Sequence, residues 1–98
     1  MIDFDAFKGS LTAAAPPAGL SLAIQALWWE AKGDWDKAHE CAQAQDDLVG
    51  ARVHAYLHRR EGDATNARYW YRQNGESLPE VPLEVEWEML ARRLLGEA

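Results

Sequence analysis

Cysteine is almost missing from this chain: Cys41 stands alone among 98 residues. A single thiol rules out an intramolecular disulfide and suits a reducing compartment. Long apolar runs are missing too. Nothing approaches the ~20 consecutive apolar residues that cross a bilayer, so no membrane partner is expected. Met1, Ile2, Asp3, Phe4 and Asp5 lack the basic start of a secretory leader, and the cytoplasm is the expected compartment. Basic residues are scarce: ten Lys and Arg against sixteen Asp and Glu give a net charge of −6. General nucleic-acid binding needs a positive footprint, and this balance argues against it. No segment alternates as a half-buried strand would, and none is low-complexity. There is no HExxH, no paired cysteine ligand set and no nucleophile motif. Neither a standard zinc site nor nucleophilic catalysis is therefore written into short motifs, and no cofactor is expected.

What the chain does carry is helix. Ninety-eight residues make one domain, 1–98. Five Trp, three Tyr and two Phe supply its bulky core material. The organising stretch is 26–43. Residues 22–32 suit a helix, and Gly33 can take the left-handed conformation that ends one. Asp34 is placed to cap the next helix, with Asp36 in its first turn where the helix dipole favours negative charge. Trp35, Ala38 and Ala42 then fall on one face. A second copy follows at 55–72: Gly62 and Asp63 repeat the turn, and Ala64, Ala67 and Tyr71 repeat the face. So short a link requires nearly antiparallel helices. Aligning Gly33 with Gly62 also superposes Ala26 on Ala55 and Ala38 on Ala67, small residues that let helix backbones approach closely.

The pattern Gly-Asp-aromatic-x-x-Ala, with a small residue seven positions earlier, resembles tetratricopeptide and Sel1-like repeats. Ala26, Gly33, Asp34, Trp35 and Ala38 carry it in the first copy. Ala55, Gly62, Asp63 and Ala67 carry it in the second, with Pro79 near where such a repeat ends. Tyr69, Trp70, Tyr71 and Arg72 resemble the aromatic end of a Sel1-like unit. The resemblance covers about half of the chain, and the whole is similar in kind to small bacterial proteins. It implies antiparallel helical hairpins and no particular activity. The copies stand 29 residues apart, shorter than the ~34 of a standard repeat, which departs from regular superhelical stacking.

Taken in order, Phe4, Phe7 and Leu11 share one side of a short N-terminal helix that Gly9 and Ser10 end early. Residues 13–19, with Pro16 and Pro17, read as a linker. Ser21 caps a helix over 22–32, whose stripe is Leu20, Ile24, Leu27, Trp28 and Ala31. The next helix, 35–45, is more amphipathic. Asp46 and Asp47 separate it from a third, 48–61, with the stripe Val49, Val53, Tyr56 and Leu57. A fourth helix over 64–74 ends at Gly75. Pro82 opens a last one, 83–95, with Leu83, Trp87, Leu90, Ala91 and Leu94 on its stripe. In open tetratricopeptide arrays the face holding the first and third stripes lines a groove. Here it is apolar in both copies, so it needs a cover: the Phe4/Phe7 segment, the last helix, or another subunit. The expected fold is all-α, with an N-terminal segment and linker over 1–19. Two antiparallel hairpins, 20–45 and 48–74, and a C-terminal helix, 82–95, complete a closed bundle of about five helices.

Candidate chemistry concentrates in the second hairpin. His54 and His58 stand four apart on one helix face, a spacing that can set two imidazoles on one metal. His39, Cys41 or a Glu can complete such a set. The structural alternative is helix-packing histidines. His39 and Cys41 cannot form a catalytic dyad with each other, because neighbouring helix positions diverge by roughly 100° per residue, and Cys41 reads as a small buried residue. Arg52, Tyr56 and Arg59 follow i, i+4, i+7. With Trp28, Trp70 and Arg72 they make a candidate surface for an acidic peptide, carboxylate or phosphate. The alternative is pairing with local acids such as Glu30, Glu61 and Asp63, and stacking on aromatics. The leading functional expectation is a non-catalytic interaction or assembly module that binds a partner protein or forms a homodimer. The competing one is a small-ligand or metal-binding protein, or an enzyme, built on the His/Arg/aromatic cluster.

Overall fold

Five of the six α-helices among the described residues begin where a side chain takes up a free backbone N–H group, and the last begins after Pro82. In the computed structural model, which describes residues 2–96, six α-helices and no strand occur among the described residues. They are α1 Phe4–Gly9, α2 Leu22–Ala31, α3 Trp35–Ala44, α4 Leu48–Arg60, α5 Ala64–Gln73 and α6 Leu83–Leu94, with a 3-10 turn at Ser10–Thr12. Asp3, Ser21, Asp34, Asp47 and Asp63 each accept from the backbone N–H three residues on. These caps satisfy donors that a helix start leaves unpaired.

The same turn is built twice. Gly33 has φ 87° and Gly62 φ 88°, both in the left-handed region. The Asp34 N–H donates to Trp29 O and the Asp63 N–H to His58 O, each at 2.9 Å. This is the Schellman-type closure that takes up the last carbonyls of a helix. Three-residue links therefore fold α3 back on α2 and α5 back on α4. Ala26, Ala38, Ala55 and Ala67, all fully buried, sit between the paired helices.

The apolar stripe of α2 and α4 is closed by the chain's own ends. Phe4 and Phe7 pack on Trp87 of α6, with ring centroids 5.9 and 5.8 Å apart. The Trp87 Nε1–H donates to Leu27 O at 2.9 Å. The Trp28 Nε1–H reaches Ser10 Oγ at 3.0 Å, and Lys32 Nζ donates to Leu11 O and Ala13 O. Leu27, Leu57, Val53 and Phe7 are fully buried. Two of the three expected covers, the N-terminal segment and the last helix, thus act together. The result is a closed helical bundle around a main aromatic-rich core, with a smaller cluster of Ala55, Ala67 and Tyr71 between α4 and α5.

α3 and α4 meet through an unusually close backbone approach at Gly50. That junction positions the site described next, because it fixes the register of α3 against α4.

Candidate metal centre

The helical period divides α4 into two chemically different faces. At roughly 100° per residue, Arg52, Tyr56 and Arg59 cluster on one side and His54 and His58 lie nearly opposite. α3 brings Trp35 and His39, also four apart, over the histidine side. α5 brings Trp70. His39 Nε2 lies 2.9 Å from His54 Nε2. His54 and His58 stack with centroids 4.7 Å apart, and His39 and His58 stand at 5.6 Å. One ligand nitrogen from each of the three rings lies within 4.8 Å of the others. Indoles hold the outer rings: Trp70 stacks on His54 at 4.1 Å and Trp35 on His39 at 4.9 Å.

The electrostatics keep the rings ready to donate lone pairs. Burial, and then the neighbouring His39 and His58, push the His54 imidazole down to about 4. Burial and His58 also lower His39, with Glu61, Asp36 and Glu40 pulling the other way. Both rings are therefore neutral at pH 7, the form that ligates metals. His58 Nδ1 faces Glu61 Oε1 at 3.3 Å. When Glu61 accepts from Nδ1–H, the lone pair sits on Nε2, as in the carboxylate–histidine pairs behind metal ligands. Zinc–nitrogen bonds of ~2.0–2.1 Å put ligand nitrogens on one tetrahedral ion roughly 3.3 Å apart. The His39–His54 nitrogens, 2.9 Å apart, are close to that value, and all three ligand nitrogens lie within 4.8 Å of one another.

Of the ligands named as able to complete the His54/His58 pair, the cluster contains His39 and not Cys41 among the described residues. Cys41 is half-buried, and burial and Glu40 raise its thiol. Glu61 serves behind His58, where Asp63 also lies within ligand distance.

The six residues expected to form a binding surface do not lie on one exposed surface. Trp28 is fully buried. Tyr56 is 2% exposed and donates to Glu30 Oε2 at 3.2 Å, and burial followed by Glu30 pushes its phenol up. Arg52 and Arg59 turn inward to Glu86 of α6: Arg52 Nη1–Oε2 is 2.8 Å and Arg59 Nη1–Oε1 is 2.6 Å. Arg59 also donates to Val81 O, and Arg52 Nε to Glu76 at 2.8 Å. Arg72 lies beside a separate cavity of about 370 Å³ with Arg68, Glu76, Ser77 and Leu78. Of the six, only Trp70 stands at the histidine cluster. Glu86, 2% exposed and also accepting from Tyr71 OH at 2.6 Å, escaped sequence reasoning. Its one visible signal is a position on the apolar side of α6, next to Trp87.

Compared with protein-family models, curated proteins and solved structures, the chain matches none.

Proposed function

We propose that the protein is a metal-binding helical module that holds one divalent transition-metal ion on His39, His54 and His58. The observation that carries this reading is the convergence of three imidazoles from two helices, with a carboxylate behind one of them. All-nitrogen sets suit zinc, and also cobalt(II), nickel(II) and copper(II), rather than calcium or magnesium, which prefer oxygen. Calorimetric titration with zinc is expected to give saturable binding of one ion per chain. His54→Ala should weaken it at least ~100-fold with the far-ultraviolet dichroism unchanged, and Glu61→Gln should weaken it by about 10–100-fold. Loose, multi-site binding, or a His54→Ala variant that titrates like the parent, would reject the reading.

A second reading, assembly with another copy of the chain on a tetratricopeptide-like scaffold, is favoured by one feature of α6. Val85 and Met89 are 44% and 52% exposed, one turn apart. Glu84 and Glu88 precede them or flank them, and Arg92 and Arg93 follow. Two such helices packed antiparallel about a two-fold axis would set opposite charges face to face. Light scattering is expected to give the mass of two chains, falling to one in Met89→Glu. A monomeric parent across the concentration range would dismiss this reading and leave the metal reading untouched.

A further inference from the structure

Resting on the three-histidine reading, we infer that the bound ion keeps one exchangeable coordination position, which takes a small monodentate anion. His39, His54 and His58 form one ligand cluster, and the other cluster among the described residues shares His58 and consists of Glu61 and Asp63. Glu61 is engaged at the outer nitrogen of His58, and Asp63 Oδ1 accepts from the Asn66 N–H at 3.1 Å. Both acids are engaged in local structure, so the described residues offer three ligands where zinc and cobalt take four or more. Three protein ligands plus one open position is the arrangement of exchange-competent zinc rather than of closed structural sites.

Burial sets the direction of that position. His54 and His58, each 6% exposed, form the floor on α4. His39 is half-buried at the rim, as are the flanking Trp35 and Trp70. Solvent therefore reaches the cluster past His39 and the two half-buried indoles. Charge sets the ligand class. Three neutral imidazoles bring no charge onto the ion, and Glu61, Asp36 and Glu40 act on the cluster through its histidines rather than as ligands in it. An anion at the open position brings the compensating charge. In plain buffer the place is taken by water, which such an ion acidifies. Azide, cyanate and simple carboxylates are anions that can take up a single position.

The test uses the full chain loaded with cobalt(II), whose ligand-field absorption reports the donor set, with azide as the probe. The expected result is a visible spectrum that shifts saturably on adding azide, with one azide bound per chain. Restoration of the first spectrum on dialysis is expected as well. A cobalt spectrum that depends on His54 but ignores azide means that a fourth protein ligand closes the site, and the inference fails while the metal reading stands. A thiolate-to-cobalt charge-transfer band that disappears in Cys41→Ser would name that ligand and overturn the inference in the same way. Failure of the parent to bind cobalt at all removes the metal reading itself.

Discussion

Replacing Glu86 with alanine is expected to destabilise the protein by about 3–5 kcal/mol, the usual cost of stripping one partner from a buried ion network. The carboxylate joins three helices. It is carried by α6 and accepts from Arg52 and Arg59 of α4 and from Tyr71 of α5. Tyr71 is fully buried, and the Arg52 side chain is 10% exposed. Without Glu86 the tyrosine hydroxyl loses its acceptor inside the protein. Arg52 keeps Glu76 and the face of the Tyr71 ring, 4.7 Å away, but loses its deeply buried charge partner. Burial, and then the hydrogen bond to Glu86, already hold the Tyr71 phenol well above its ordinary range. A domain of this size has a total stability of only about 5–15 kcal/mol. The loss should lower the thermal midpoint by about 15 °C or more and move the urea midpoint with little change in slope. Glu86→Gln keeps the shape without the charge and should lie between the two. Because Arg52 and Arg59 leave α4 on the side away from His54 and His58, Glu86→Gln should bind zinc like the parent. A Glu86→Ala variant within 1 kcal/mol of the parent would mean that the arginines reach water as readily as they reach Glu86.

Gly50→Ala is expected to be destabilising by about 2–3 kcal/mol, against the ordinary sign for a helix interior. In an unencumbered helix the change from glycine to alanine gains up to ~1 kcal/mol. At Gly50 the added Cβ would lie 1.9 Å from Gln45 O and 2.9 Å from Ala42 O. Both are backbone atoms, so no side chain can swing aside, and the start of α4 must move away from the end of α3. Asp47, which caps α4 by accepting from the Gly50 N–H at 2.8 Å, moves with it. Overpacking of this kind costs a few kcal/mol. The displacement separates His39 on α3 from His54 and His58 on α4, so zinc affinity should fall at least ~10-fold alongside stability. Urea unfolding and a zinc titration on the same preparation check both halves. A variant that is more stable than the parent would show that the junction yields without cost. Lost stability with unchanged zinc affinity would detach the metal centre from the α3–α4 register.

The helices and turns were legible because their determinants are local. Asp34 and Asp63 act on N–H groups three residues away, and Gly33 and Gly62 act on their own backbone torsions. The same holds for Ser21, Asp47 and Gly75, which has φ 71°. Observed helix ends fall about one residue short of the expected ones, where the last residue becomes a cap rather than a helical position. The i, i+4 pairing of His54 with His58 and the shared face of Arg52, Tyr56 and Arg59 were equally readable, since one helix fixes both.

Partners across the fold were decided by tertiary structure alone. The sequence places two arginines on one side of α4 but cannot say that Glu86 of α6 meets them, 34 and 27 residues further on. It leaves open whether His39, Cys41 or a Glu joins the histidine pair. Helix phase makes that choice: His39 and Cys41 are two positions apart, so they leave α3 on nearly opposite sides, and the close approach at Gly50 turns the His39 side toward α4. It likewise leaves the cover of the apolar stripe open, and the docking of Phe4 and Phe7 on Trp87 supplies it. Local chemistry determined which segments are helical and which face of each is apolar. The packing of one helix on another determined which side chains share a site, because that depends on distances between residues that no short stretch of chain encodes.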